Sequence, residues 1–454
     1  MSILASAIDG AARECMMLAC VGFLVGGIDD LALDLVYWWN RVRLHADLRV
    51  PDLVLTCNRR LAIFVPAWDE SDVIAAMLAT TVTRFGDDDF RIYVGAYPND
   101  SATIDAIAAV AERDPRIRLV VNPAAGPTTK ADCLNRLWQA LRREEAAEDW
   151  QAAAIVFHDA EDLVHRDELR VYRALLGKYQ VVQLPVMPLV DPQSRLVAGH
   201  YIDEFAEAHG KQMVARGALG APIPLAGVGC AIDRDVIGRV AAARRDAPFD
   251  ADSLTEDYEL GLLTATLGAR QIFARVRDEA GGLVAVAEYF PGTIDAAVRQ
   301  KARWMAGIAL NGWDRVGWGR ASDWRDHWMR MRDRRAPLAV LVLLAAYAAL
   351  VVWGLSLTIH AFEHSAMPQP DAAMQTLLRI NAGQLLWRLA MRMLFTARAY
   401  GPIEALLSLP RAIVANFIAM LAARRALWAY VAAFDGRRPR WDKTAHRFPT
   451  GLQP

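Results

Sequence analysis

Cysteine is scarce and scattered. Cys15, Cys20, Cys57, Cys133 and Cys230 form no Cys-x-x-Cys pair in 454 residues. That excludes a disulfide framework and a structural zinc site, and it suits a reducing compartment. Net charge is also nearly absent, at −1. No broadly basic surface therefore offers itself to nucleic acid. Low-complexity tracts and internal repeats are missing, which excludes solenoid and biased-composition architectures. What the chain has is apolar residues, 54% of the total, gathered toward its two ends. Its length suits two or three units, and the distribution points to membrane segments flanking a soluble middle.

The first apolar stretch, residues 15–39, is long enough to cross a bilayer, for which about 20 residues suffice. Asp29, Asp30 and Asp34 interrupt it. Either the span ends near Ile28, or it continues and turns its carboxylates toward other helices, because a lipid-facing carboxylate is costly. The stretch lacks a small-residue cleavage motif, and Tyr37, Trp38 and Trp39 resemble an interfacial belt. Arg41, Arg43, Arg49, Arg59 and Arg60 follow, which places the next domain in the cytoplasm. From 61 to 292 short apolar runs alternate with helix-period runs. Residues 61–65, 90–97, 117–121, 153–157 and 181–186 read as strands, and 103–113 and 131–145 as helices. This α/β alternation implies a mostly parallel sheet whose ligands bind at the strands' carboxyl ends.

Residues 294–310 carry Arg299, Lys301, Arg303 and Trp304 among apolar positions, in the manner of an interfacial helix. Residues 336–359 hold no charge and form the clearest span. Residues 377–395 contain Arg379, Arg388 and Arg392, and residues 403–432 are broken by Pro410 and Arg411. Arg424, Arg425, Arg437, Arg438 and Arg440 put the C-terminus in the cytoplasm. Three spans are expected, with the last segment lying in the interface or re-entering. The divisions are 1–60 (membrane helix and juxtamembrane segment), 61–292 (catalytic domain), 293–335 (interfacial helices), 336–432 (membrane and interfacial helices) and 433–454 (cytoplasmic tail).

The candidate chemistry sits after the strands. The fourth ends in His158-Asp159-Ala160-Glu161-Asp162, a carboxylate cluster able to share Mg²⁺ or Mn²⁺. It reads equally as the acidic start of a helix. Pro66, Trp68 and Glu70 follow the first strand, Asp100 follows the second, and Lys130 opens the next helix. An aromatic, acids and a lysine at one sheet edge suit a nucleotide, although Asp100 as a helix cap and Lys130 as a solvated residue are the ordinary alternatives. Thr255, Glu256 and Asp257 lie further on, and Gln300, Arg303 and Trp304 about 40 residues beyond them.

In this order the motifs resemble the family 2 glycosyltransferases, whose catalytic domain has the α/β GT-A fold and is joined to transmembrane helices. The resemblance covers roughly residues 60–310. It rests on Pro66 to Glu70, on Lys130 with Asn135, on Asp159 with Glu161, on an intact Thr255-Glu256-Asp257, and on an intact Gln300-x-x-Arg303-Trp304. Gly95 and Ala96 stand where the family's nucleotide-base acids would lead, leaving Asp100. Tyr97-Pro98-Asn99-Asp100, the His158 to Asp162 run and the tail Trp441 to Pro449 bring the chain close to the bacterial phage-adsorption protein B group. Those are inner-membrane enzymes linked to exopolysaccharide. Larger members carry a cyclic di-GMP-binding domain, which is expected to be missing here.

The resemblance implies inverting transfer from a nucleotide-diphospho-sugar, in particular a UDP-sugar, to a polysaccharide or lipid-linked acceptor. Asp257 would be the base, beside Glu256. Pro66, Trp68, Glu70, Asp100, Lys130, Asp159 and Arg303 would hold the donor. Thr255, Gln300, Trp304 and Gly227 would line the acceptor site. Asp159, Glu161 and Asp162 would bind Mg²⁺ or Mn²⁺. Membrane lipids would border the acceptor site, and a homo-oligomer or an envelope export partner would complete any channel. Two rival readings remain: a catalytically decayed fold serving as a membrane receptor, favoured by the Gly95-Ala96 turn, and another nucleotide-using membrane transferase.

Overall fold

The computed structural model describes residues 3–43, 47–433 and 446–449. Arg437, Arg438, Arg440 and the tail residues 441–445 and 450–454 lie outside them. Seven strands build the main sheet: β1 (Leu61–Pro66), β2 (Phe90–Ala96), β3 (Ile117–Val121), β4 (Ala154–Phe157), β5 (Val181–Gln183), β6 (Cys230–Asp233) and β7 (Gln271–Phe273). Every residue of β1 and β4 is buried, as expected of strands covered on both faces. Alternation assigns the two faces. Leu61, Ile63 and Val65 join the core beneath Ile74, Met77 and Leu78, while Ala62 and Phe64 join that beneath Leu134, Leu137 and Trp138.

The strand order is β3-β2-β1-β4-β6-β5-β7. The first four strands run parallel, and β6 is antiparallel to both β4 and β5. The sheet is therefore mixed, and that reversal matters. Phe157 pairs with Cys230, so the chain just before β6 meets the chain just after β4, which brings Gly227 beside the Asp159 loop. The expected strand 181–186 is two pieces. Pro185 cannot donate to a ladder, and the chain resumes as Val186–Pro188, paired with Val286–Glu288 outside the main sheet.

The N-terminal helix Ile3–Arg43 is continuous over 41 residues, and its aspartates at 29, 30 and 34 face protein. Asp30 is 8% and Asp34 1% exposed. Arg332, Arg335 and Arg388 pair with Asp30, and Lys211 of the catalytic domain pairs with Asp34. Trp328 donates to Asp29 at 2.6 Å and Trp387 to Asp34 at 2.8 Å. Each carboxylate thus has donors, as burial demands. Among the described residues, three helices are long and apolar enough to cross a membrane: Ile3–Val42, Ala336–Phe362 and Pro402–Ala432. Composition thus selects the last helix where the sequence reading favoured residues 377–395. The contacts run the other way. Helix Ala372–Tyr400 lies parallel to the N-terminal helix, with Asn381 donating to Cys20, Arg388 to Asp30 and Trp387 to Asp34, and Phe395 packing edge-on against Tyr37. Helix Pro402–Ala433 touches the catalytic side near both ends, through Glu404 with Arg195 and Tyr430 with Asp314.

Candidate active site

The turn after β1 carries Glu70 into the interior, where it is 4% exposed. Its N–H donates to Thr103 Oγ1 at 2.9 Å. Asp69 adopts φ +54 and donates its N–H to Asp100 Oδ2 at 2.6 Å. Asp100 also caps helix Ser101–Ala111 through the Thr103 N–H. Both of its oxygens therefore serve the backbone, and it does not line the cavity described below. Trp68 stands edge-on to Tyr97 with centroids 5.2 Å apart. A Cβ on Gly126 would lie 2.5 Å from the Trp68 ring, so glycine lets that loop close on the aromatic pair.

A cavity of about 130 Å³ opens at the carboxyl edge of the sheet. Pro66, Glu70, Lys130, Asp159, Glu161, Thr255, Glu256, Asp257, Gln300, Arg303 and Trp304 all line it. Five separate chain segments thus converge as the motif order implied. Lys130, first residue of helix Lys130–Glu148, places Nζ 2.5 Å from Asp159 Oδ1 and 3.9 Å from Glu256 Oε1. Gly227 sits at φ +80, and a Cβ there would fall 2.8 Å from Asp257 Oδ2 and 3.4 Å from Lys130 Nζ. Only glycine gives both that backbone and that approach. Arg303 makes no hydrogen bond or ion pair among the described residues, so its guanidinium stands available to an anion.

Among the described residues, the group spaced to hold a cation is not the expected Asp159, Glu161 and Asp162. Asp162 turns inward, 1% exposed. Its Oδ2 accepts from the Asp159 N–H at 3.0 Å and pairs with His158 Nδ1 at 2.9 Å. It thus fixes the loop and does not reach the cavity. Asp159 is engaged by Lys130. Glu161 instead meets Glu70 and His446, whose ligand atoms all lie within 4.8 Å of one another. His446 Nδ1 is 2.9 Å from Glu70 and Nε2 3.2 Å from Glu161. Two carboxylates and an imidazole at that spacing fit a divalent cation, and the nitrogen favours Mn²⁺ over Mg²⁺, which keeps to oxygen. His446 was visible in the sequence only as part of the tail motif.

Burial dominates the electrostatics. It raises the pKa of Glu161, Glu256 and Asp257, and Lys130 partly offsets this for the last two. Burial opposes the His446 charge, but Glu161 and Glu70 hold its pKa at about 9. Lys130 is likewise desolvated, yet Asp159, Glu256 and Asp257 keep it cationic. A buried acid with a raised pKa beside a fixed lysine is a candidate for proton transfer. The sequence reading also missed Val186, Phe205, Glu288 and Phe290, which line the same cavity. Their isolated positions carry no motif.

Residues 58–307, more than half the chain, match the family described as glycosyltransferase like family 2, and the chain belongs to that family. The bacteriophage adsorption protein B of Escherichia coli K12 and the bacteriophage N4 adsorption protein B of Escherichia coli O157:H7 are each 35% identical over 461 residues. Those alignments take in 95% of this chain and 62% of each relative's length. A mannosyltransferase from Pyrobaculum calidifontis, solved with GDP-Man and Mn²⁺, superposes with a TM-score of 0.55 at 19% identity, over 91% of this chain and 99% of that one. The fold is GT-A.

Proposed function

We propose that the chain is a metal-dependent, inverting glycosyltransferase that uses a nucleotide-diphospho-sugar, specifically a UDP-sugar. The acceptor is a polysaccharide or a lipid-linked acceptor at the cytoplasmic face of a bacterial inner membrane, in exopolysaccharide synthesis. The observation that carries this reading is the convergence of Asp257, Lys130 and Arg303 on one cavity, with Gly227 set against Asp257 and Lys130.

The acceptor hydroxyl oxygen bonds to the anomeric carbon from the face opposite the leaving group. Its proton passes to an Asp257 oxygen. The bond from the anomeric carbon to the phosphate oxygen breaks, and its electron pair leaves with the nucleoside diphosphate. A positioned base contributes about 10²–10⁴-fold to such a step. Arg303 and Lys130 offer fixed positive charge to the departing diphosphate in a site where water is scarce. Glu161, Glu70 and His446 are the residues that would hold Mn²⁺, which when bound supplies further charge neutralisation at the diphosphate. Trp68, packed edge-on against Tyr97, is the ring proposed to flank the nucleoside, and Trp304 the one proposed to flank the acceptor.

The membrane reading is that the N-terminal helix, Ala336–Phe362 and Ala372–Tyr400 are the three spans, with Pro402–Ala433 along the membrane surface. Its support is the parallel course of Ala372–Tyr400 beside the N-terminal helix and the pairing of its arginine with Asp30. The test is Asp257→Asn in reconstituted membranes, supplied with labelled nucleotide sugars and Mn²⁺. Transfer by the native chain and loss of about 10²-fold or more in the variant is the expected result. Near-normal transfer by the variant removes Asp257 as base. No transfer by the native chain, together with no metal-dependent binding of a nucleoside diphosphate, would favour a receptor.

A further inference from the structure

The three residues of the candidate cation set are held in different ways. Glu70 and Glu161 stand on turns that follow β1 and β4, so the sheet places them. His446 lies in neither a helix nor a strand, and it meets Glu70 from 376 residues along the chain. A ligand atom has to be held within about half an ångström of its working position. Secondary structure does not hold this imidazole, so its neighbours must.

The residues after it supply the hold. Phe448 packs against the core cluster that contains Leu61, Ile63 and Val65 of β1, and Pro449 is buried. Apolar packing is non-directional. It keeps the segment on the sheet without setting which way the His446 ring turns. Arg447 adds direction. Its Nη2 pairs with Asp191, its Nη1 donates to Gln193 Oε1 at 3.4 Å, and its guanidinium lies over the Tyr289 ring at 5.4 Å. A planar fork between a carboxylate and an aromatic face has few orientations open to it.

The dock for Arg447 is itself fixed. Asp191 Oδ1 accepts from the Gln193 N–H at 3.0 Å, and its carbonyl accepts from the Ser194 N–H at 3.1 Å. Ser194 Oγ donates to the Gly292 carbonyl at 2.7 Å. Just beyond, Arg411 of helix Pro402–Ala433 donates to the Arg195 carbonyl at 2.7 Å. Surface ion pairs contribute little, but Asp191 is only 3% exposed. Removing the guanidinium would leave a buried carboxylate without its cation, which is costly.

We propose that Arg447 is a positioning residue for the cation: clamped by Asp191 and Tyr289, it sets His446 between Glu70 and Glu161. The assignment rests on the cation reading of those three residues and adds what holds the histidine among them. Arg447 is not part of the cavity lining, so it acts through its neighbour.

The test is Mn²⁺ binding to the full chain in detergent with uridine diphosphate, followed by electron paramagnetic resonance. An imidazole ligand couples its nitrogen nucleus to the Mn²⁺ signal, and the native chain should show that coupling. Arg447→Gln should weaken Mn²⁺ about 10–100-fold, as removal of a group that orients a metal ligand does, and should diminish the nitrogen coupling. Arg447→Lys keeps the charge without the fork and should fall between the two. In a His446→Ala background, Arg447→Gln should cost nothing further, because its effect runs through the imidazole. A general loss of stability would instead add to the His446→Ala loss. Unchanged affinity and coupling in Arg447→Gln, or a full additional loss in the double variant, overturns the positioning role alone. No nitrogen coupling in the native chain overturns the cation set and this assignment together, and leaves Asp257 as base to its own test.

Discussion

Gly227→Ala isolates the geometry around the proposed base. The added methyl would meet Asp257 Oδ2 at 2.8 Å and Lys130 Nζ at 3.4 Å, on a backbone at φ +80. An L-residue in that conformation costs about 1–2 kcal/mol. For a domain of this size, each kcal/mol lowers the melting point by about 2–4 °C. The contact also forces the carboxylate or the loop to shift by about half an ångström. A misplacement of about 1 Å costs about 10²-fold in rate, so turnover should fall about 10–100-fold while the protein remains folded. Gly268→Ala is the control. It has the same φ of +80 but nothing within 4 Å of the new methyl, so it carries the strain without the clash. Nucleoside diphosphate release from a nucleotide sugar, measured in membranes, reads turnover, and a thermal scan reads stability. If Gly227→Ala and Gly268→Ala lose the same small amount of activity, Asp257 is not the reacting carboxylate.

His446→Ala removes one of three candidate ligands. Mn²⁺ affinity, measured by electron paramagnetic resonance with nucleoside diphosphate present, should drop by at least the roughly 10–100-fold that loss of an outer-shell partner costs. Unchanged affinity would return the cation to Asp159. Asp30→Asn leaves Arg332, Arg335 and Arg388 facing a neutral amide. Unfolding in detergent should be easier by about 3–5 kcal/mol, the cost of breaking a buried pair, and pairing it with Arg388→Gln should recover part of the loss. His158 is fully buried. Desolvation works against its charge, but Glu168 and Asp162 on either side raise its pKa to about 10. A raised histidine stabilises fully below its unfolded pKa of about 6.5 and loses that contribution as pH climbs through its folded value. Thermal midpoints should therefore decline between pH 7 and 10. The decline should flatten in His158→Asn, and an equal slope in both proteins would count against the assignment.

Composition and periodicity made the two-part plan legible, because burial imposes apolar runs that need no knowledge of partners. Strands β1 to β4 and the two helices expected at 103–113 and 131–145 fell within a few residues of expectation, the helices being marked by clear caps at Asp100 and Thr129. The short strands β6 and β7 did not stand out, because three or four apolar residues are equally at home in a helix. Pro185 was a visible break that the sequence reading passed over. The motif residues were legible as an ordered set, and eleven of them share the cavity.

Their partners were not legible. Asp162 and Asp100 carry the same chemistry as Glu161, and only the fold sends one toward His158, another to a helix cap and the third to His446. Likewise the aspartates of the N-terminal helix announced a cost, but not the arginines about 300 residues away that meet it. The sequence by itself determined which residues must be buried, where helices begin, and which motif set the chain bears, because these depend on neighbours along the chain. The tertiary structure alone decided which carboxylates stand close enough to offer a cation site, and that Gly227 crowds Asp257. Those are distances between segments far apart in sequence, set by the antiparallel turn of β6 and by the return of His446 to the sheet edge.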